Sequence, residues 1–546
     1  MFQGSKGRFG RCFNLLCFMM CNVNRVFSWK WGVQMAFSTV LSACIRGIRA
    51  ELVHVEADIS NGLPVFHMVG YLSSEVKEAA ERVRTAIRNA DLQLPAKRIM
   101  VNLAPATVRK RGASYDLPIA LAVLAAMGVI SSGELEGVLV IGELSLDGRV
   151  RKVPGILPVV MCARDAGCHT CILPEANGME GALIDGIRII GVSHLKQVCA
   201  YLNHMEEIRP KESKRTAKIR NTESFHMPDF SEVHGQKAVK RAAEVAAAGG
   251  HNLLLVGPPG SGKSMIAKRI PSILPPPSEE ESMEITTVYS IMGLLDEEKP
   301  LITGRPFREV HHTVTKAALI GGGGIPVPGE ISLAHGGVLF LDELTEFQRP
   351  VLEVLRQPLE ERQICITRNH GTYQFPANFM LTAAMNPCPC GNYPDLGRCS
   401  CTQSQIRQYL SRVSQPFLDR IDLCVEAPKV AYQELRSRQE EECSEIIRKR
   451  VCRAREIQTL RYQGTGIISN SMLSSGDLER YCGLDREGEA LMQKIFRALD
   501  LTARTYHKIL KVARTIADLE GSGRILEPHL KEAAGYRTMD KKYWGR

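Results

Sequence analysis

Eight consecutive residues carry the strongest chemical signal in the chain: Gly257, Pro258, Pro259, Gly260, Ser261, Gly262, Lys263 and Ser264. Glycines at this spacing let a loop turn its backbone N–H groups inward around a phosphate, at the positive end of the helix that follows. Lys263 is then placed to reach the β- and γ-phosphates of a nucleotide, and the Ser264 hydroxyl to ligate Mg²⁺. The pattern has meaning only between a strand and a helix. An apolar run at 252–256 supplies the first and the stretch from Met265 to Lys268 opens the second. ATP and Mg²⁺ are therefore the expected ligands.

Two further apolar runs end in polar groups. The run at 338–341 stops at Asp342 and Glu343. After a phosphate-binding loop, such a pair reads as Asp342 holding Mg²⁺ through water and Glu343 polarising the attacking water as general base. The run at 379–385 stops at Asn386. At the carboxyl edge of a parallel sheet, that side chain faces the γ-phosphate and can position the water; capping the turn before Pro387 is its plainer role. Arg420 lies between Asp419 and Asp422. A guanidinium supplied by a neighbouring subunit can accelerate phosphoryl transfer by roughly 10³–10⁵. The residues alone do not separate that role from an ion pair with Asp419 or Asp422.

A second kind of chemistry is marked by Cys388, Cys390, Cys399 and Cys401, four thiols in two C-x-C hooks on a Gly/Pro/Asn-rich loop. Hooks of this kind can present four sulfurs tetrahedrally to Zn²⁺, and a closed Cys₄ site is structural rather than catalytic. Metal binding there contributes on the order of 10 kcal/mol to local folding. Four free thiols are the alternative. The other cysteines are scattered and the total of 17 is odd, which suits a reducing cytosol and not a disulfide scaffold.

These groups have to be positioned by 546 residues of ordinary globular composition, 44% hydrophobic and 23% charged. That length predicts several domains with real cores. No apolar run reaches the roughly 18–20 residues that span a bilayer, so no membrane partner and a cytoplasmic location are expected. Half of the net charge of +10 comes from Lys6, Arg8, Arg11, Arg25 and Lys30 in residues 1–34, which hold no acid. The short apolar stretch in that tail lacks a small-residue cleavage site and reads as an upstream extension of the frame. The remainder is mildly basic, permissive for nucleic acid without being diagnostic of it.

From 35 to 205 strands and helices alternate, with strands expected at 52–59, 99–103 and 138–142 and helices at 73–90 and 117–127. Residues 206–228 form a basic linker containing Arg209, Lys211, Lys214, Arg215, Lys218 and Arg220. Residues 229–430 hold the nucleotide motifs in an α/β core. Residues 431–546 are helical, with periodic stretches at 432–460 and 506–519.

The motifs, taken together, resemble the YifB/ComM family, AAA+ ATPases related to magnesium chelatase subunit I. The resemblance is carried by 257–264, by Leu341 to Glu343, by Asn386 to Gly391 and by Leu418 to Leu423. It extends to Val512–Leu519, to Asn61–Pro64 and to Val101–Ala106, and covers about residues 35–546. It implies an AAA+ core with a parallel sheet and a helical lid. A helix-2 insertion falls at 317–334 around Gly321–Gly324, and a hairpin at 363–375 turns Arg368, Asn369 and His370 into a central pore. It makes Arg420 a finger acting in trans and Arg504 a lid arginine that meets the γ-phosphate in cis. It further implies a hexameric ring that drives branch migration of recombining DNA during natural transformation.

The amino-terminal region, above all Gly142–Gly155, is similar to a Lon-protease-like α+β domain (ribosomal S5 domain 2-like). That protease needs a serine activated by a lysine. Ser114 stands near the serine position and Leu157 where the lysine belongs, so an accessory domain without proteolysis is expected. Two functions compete with a DNA motor. One is a chelatase-type or protein-remodelling motor, the other an ATP-dependent protease. The basic residues Arg448, Lys449, Arg450, Arg453 and Arg455 offer phosphate contacts, yet Glu440, Glu441, Glu442 and Glu445 precede them and an ordinary solvated helix face explains them as well.

Overall fold

A computed structural model of the chain describes residues 36–212, 228–368, 371–395, 397–430, 432 and 441–544. The extension at 1–34, most of the basic linker, and Asn369 and His370 lie outside the described residues.

The amino-terminal region is built on β1 (Ala36–Arg46), β2 (Arg49–Ser60), β3 (Phe66–Val69), β4 (Arg98–Ala104), β5 (Val138–Val140), a small ribbon of β6 (Glu143–Leu144) and β7 (Val150–Arg151), then β8 (Thr170–Pro174) and β9 (Arg188–Val192). Seven of these form one mixed sheet in the order β3-β4-β2-β1-β5-β8-β9. The period of two in β2 buries Val53, Val55, Ala57 and Ile59, and that in β4 buries Ile99, Val101 and Leu103. The helix Asp116–Ala126 packs against β1 and β2 and is buried on every side, which is why its sequence is apolar all round. The helix expected at 73–90 is two, Ser74–Lys77 and Ala79–Asn89.

The second region contributes β10 (Leu253–Val256), β11 (Phe307–Val310), the hairpin β12 (Gly321–Gly322) and β13 (Val327–Pro328), β14 (Val338–Leu341), the hairpin β15 (Gln363–Arg368) and β16 (Gly371–Pro376), β17 (Met380–Met385) and β18 (Leu423–Glu426). Five strands form a parallel sheet in the order β11-β14-β17-β10-β18. A parallel sheet is covered on both faces, and β10, β14 and β17 accordingly read as unbroken apolar runs that are buried throughout. Val256 pairs with Met385 and Leu341 with Ala383, so all three strands end at one edge.

The carboxyl-terminal region is helical, with Ser444–Arg461, Arg486–Leu499, Ala503–Leu519, Glu527–Gly535 and Thr538–Trp544. Helix Ala503–Leu519 packs beneath the amino edge of the sheet. His251 Nε2 lies 2.7 Å from Thr515 Oγ1, and Lys508 Nζ lies 3.0 Å from Asp422 Oδ1. The amino-terminal region docks on the core through the start of helix Ile156–Asp165. The Gly155 N–H donates to Ser290 O (2.8 Å) and the Leu157 N–H faces Ser290 Oγ (3.3 Å). No helix among the described residues is long and apolar enough to cross a membrane.

Candidate functional site

The carboxyl edge of the parallel sheet gathers the phosphate-binding motif and the ends of two other strands. The loop 257–264 leaves β10, and Gly262, at φ +82°, turns it into the helix Lys263–Ala267, a backbone conformation that a Cβ would disfavour. Lys263 is buried, and its ammonium donates to the carbonyls of Gly257 (2.8 Å) and Pro258 (2.9 Å) and to Asn386 Oδ1 (3.2 Å). Burial pushes the Lys263 pKa down, opposed by the Asp342 carboxylate. Ser264 Oγ donates to Asp342 Oδ2 at 2.6 Å. Lys263, Ser264, Asp342 and Asn386 thus come from three strands into two hydrogen-bonded pairs, side by side at one edge. A hydroxyl and a carboxylate this close are the hard oxygen donors that suit Mg²⁺.

Glu343 follows at φ +52°, a left-handed conformation that is uncommon for a residue with a side chain and concentrates at functional sites. Its carboxylate is half exposed, and Oε2 lies 3.4 Å from His312 Nδ1. His312 follows the end of β11, beside β14, and was not singled out by the sequence reading. Its only local sign is a His311-His312 pair just past an apolar strand. Gln236 was missed as well. Its side-chain amide donates to Ser261 O (3.1 Å) and so braces the loop from behind.

The two arginines lie elsewhere. Arg420 precedes β18, its carbonyl accepts from the Asn252 side chain (2.9 Å), and its guanidinium is buried against Glu360 (2.7 Å). Arg504 reaches the same Glu360 at 3.1 Å. Both therefore stand at the amino edge of the sheet, whereas the phosphate loop leaves the carboxyl edge, about 16 Å away at the usual rise per strand residue. Arg504 consequently does not stand over the phosphate loop of its own chain, contrary to the cis contact expected of it. The reason is the seat of its helix: Lys508 and Thr515 tie it to Asp422 and His251, at the roots of β18 and β10. Arg420 pairs with Glu360 and not with Asp419 or Asp422.

The four thiols do converge. Cys388 Sγ lies 3.4 Å from Cys390 Sγ and 3.8 Å from Cys399 Sγ, Cys390 and Cys399 are 3.5 Å apart, and all four sulfurs fall within 4.8 Å of one another. A tetrahedron with Zn–S of about 2.3 Å has edges of about 3.8 Å, so the donor set fits Zn²⁺. Backbone N–H groups of Asn392 and Ser400 point at Cys390 and draw its thiol pKa down to about 6.

The other expectations fare unevenly. Arg368 is exposed near the tip of the β15–β16 hairpin. The basic stretch of helix Ser444–Arg461 is largely engaged: Arg450 pairs with Glu244 and Glu442, Lys449 with Glu445, and Arg455 donates to Ala247 O and Ile468 O. Among the described residues, only Arg448 and Arg453 of that group are exposed and make no ion pair. Leu157 is wholly buried in an apolar cluster with Ile156 and Val160.

Three family models match the chain: "Magnesium chelatase, subunit ChlI" over residues 229–435, "Subunit ChlI of Mg-chelatase" over 55–177, and "Magnesium chelatase, subunit ChlI C-terminal" over 441–537. The chain is 42% identical over 508 residues to competence protein ComM of Haemophilus influenzae, covering 92% of this chain and 98% of that protein. It is 42% identical over 509 residues to the uncharacterized protein YifB of Escherichia coli, covering 93% and 98%. A Lon protease of Mycolicibacterium smegmatis is 26% identical over 140 residues, 24% of this chain and 18% of the protease.

Proposed function

The chain belongs to the YifB/ComM family of magnesium chelatase-related AAA+ proteins, and from that premise we propose that it is an ATP-hydrolysing, ring-forming motor that moves DNA. The observation that carries the ATPase reading is the convergence of Lys263, Ser264, Asp342 and Asn386 at one sheet edge. Lys263 and the loop hold the nucleotide phosphates. Ser264 and Asp342 hold Mg²⁺, which when bound neutralises phosphate charge. Asn386 orients the attacking water, and Glu343 accepts its proton.

Arg420 and Arg504 complete the site from outside. Gathered on Glu360 at the opposite edge, they are suited to a neighbouring chain's nucleotide, where a triphosphate competes with Glu360 for both guanidinium groups. A closed ring, hexameric in our reading, gives every site such a neighbour. The two hairpins β12–β13 and β15–β16 would line the pore, with Arg368 offered to DNA phosphates. The name of the Haemophilus relative, a competence protein, is in keeping with a role in competence, and branch migration of recombining DNA is the activity we read for this chain. The described cysteines outside the metal cluster are free thiols, in keeping with a cytoplasmic protein. The four clustered thiols we read as a structural Zn²⁺ site.

The test is steady-state ATPase activity without DNA, with single strands, with duplex and with a four-way junction, and Lys263→Ala as the control. The expected result is several-fold stimulation, strongest with the junction and weakened by salt. A Lys263-dependent rate indifferent to every DNA would retain the ATPase and transfer the reading to a chelatase-type or protein-remodelling motor.

A further inference from the structure

The zinc knot and the phosphate loop touch, and the contact suggests that they act as one device. Resting on the reading of the four thiols as a metal site, we propose that the metal-closed loop 388–401 is the outer wall of the nucleotide site. It holds Pro259 and Asn386 in place, so that nucleotide affinity depends on bound Zn²⁺.

The stretch from Met385 to Gly391 meets the phosphate loop at three places. Where the loop begins, the Gly257 N–H donates to Met385 O at 3.1 Å. At its lysine, Lys263 Nζ donates to Asn386 Oδ1 at 3.2 Å. At its outer turn, Gly391 abuts Pro259 so closely that a Cβ on the glycine would lie 2.3 Å from Pro259 Cδ and 2.9 Å from Cγ. No real Cβ occupies such a distance, so the glycine is demanded by the approach of the two loops as well as by its φ of +78°.

Gly391 lies immediately after the first thiol hook. Its N–H donates to Cys388 O (3.0 Å), and the Tyr393 N–H donates to Cys388 Sγ (3.4 Å). Cys388 is wholly buried. The far side of the knot is backed by the carboxyl-terminal helix, with the rings of Tyr393 and Tyr543 in edge contact at 6.0 Å. The knot is therefore gripped between that helix and the phosphate loop. Among its described residues no regular strand or helix runs between Met385 and Gln403, so its shape rests on turn hydrogen bonds, such as Cys399 N–H to Asp395 O (2.8 Å), and on the sulfur cluster. On ligation each thiol gives its proton to solvent and its sulfur lone pair to the metal. When the metal leaves, the hooks part and the wall behind Pro259 loses its support. Outer elements of this kind tune a site by positioning and take no part in the reaction.

The experiment uses the full chain and reads metal and nucleotide separately. Zinc is measured by elemental analysis and by its release on thiol blocking. ADP affinity is measured at equilibrium, so that turnover plays no part. The expected result is a zinc-containing protein whose chelation weakens ADP binding about tenfold, with recovery on adding Zn²⁺ alone. Gly391→Ala should keep its zinc and still bind ADP several-fold more weakly. Adding Pro259→Ala to it should recover part of the loss, because the colliding ring carbons are gone. Zinc that can be removed with ADP affinity unchanged within twofold would overturn the coupling while leaving the metal site standing. Gly391→Ala with wild-type ADP affinity would do the same. A protein without zinc would overturn both, and the DNA-stimulated ATPase measurement would still stand or fall by itself.

Discussion

The two α/β regions of this chain hold their chemistry in opposite ways. At the carboxyl edge of β10, residues from three strands lie within hydrogen-bond reach of one another: Lys263 with Asn386, and Ser264 with Asp342. In the amino-terminal region Ser114 lies on a turn, and Leu157 stands where the resemblance to a Lon-type protease leads one to expect a lysine. That leucine is buried among apolar side chains. The backbone amides beside it, Gly155 and Leu157, face Ser290 of the core. A region that resembles a protease domain also supplies the joint to the core. A motif supports a function only where the fold brings its partners together, and the same outline can be reused to fasten one domain to another.

The largest effect that should separate the two regions is the loss of Glu343. Glu343→Gln keeps the shape of the side chain and removes the base, so ATP turnover should fall by about 10²–10⁴ with nucleotide binding retained. Ser114→Ala should leave turnover unchanged. Both are read by steady-state ATPase rate alongside equilibrium nucleotide binding. Full turnover by Glu343→Gln would remove the base from the mechanism, and a comparable loss in Ser114→Ala would erase the contrast between the regions.

The arginines come next. If Arg420 serves a neighbour, Arg420→Ala should lower turnover by about 10³. Mixing it with Lys263→Ala chains should restore part of the rate, because a mixed interface pairs an intact phosphate loop with an intact finger. Arg504→Ala should show a smaller loss, about 10²-fold, and the same rescue. Failure of rescue for Arg504 alone would return that residue to the nucleotide of its own chain.

How much of this was legible in the sequence depended on how local each signal was. The strand, phosphate loop and helix around Lys263 are contiguous, and Asp342 and Asn386 each end an apolar run that a parallel sheet must bury. The cysteine hooks lie within one loop. Arg504 was legible as a residue and misplaced as a position. Which edge of the sheet its helix lies against is decided by Asp422 and His251, far away in sequence, and no periodicity reports that. His312 beside Glu343, Glu360 beneath two arginines and Gly391 against Pro259 are equally non-local. In the amino-terminal region the alternation in β2 and β4 gave the strands, but a continuous helix at 73–90 was expected where the chain breaks at Glu78.

The smallest effect concerns the joint itself. Ser290 Oγ donates to Glu180 Oε1 at 2.5 Å, in a buried pocket where Asn177 and the Leu157 N–H also donate to that carboxylate. Burial raises the Glu180 pKa, with these three donors opposing. A carboxyl group whose pKa is raised on folding holds its proton better in the docked state. The joint is therefore strongest on the acid side, below the unfolded value of 4.5, and weakens as pH rises through the folded pKa. Above that pKa the carboxylate is charged and the Ser290 bond is charge-assisted. Ser290→Ala should then cost about 1.5–3 kcal/mol above the folded pKa, and nearer 1 kcal/mol below it, where Glu180 is protonated. Hydrogen exchange of the amides at the start of helix Ile156–Asp165 reads this directly. Ser290→Ala should speed it more above the folded pKa of Glu180 than below it, once intrinsic rates are corrected. Equal acceleration at both would mean that the charge on Glu180 does not strengthen the Ser290 bond.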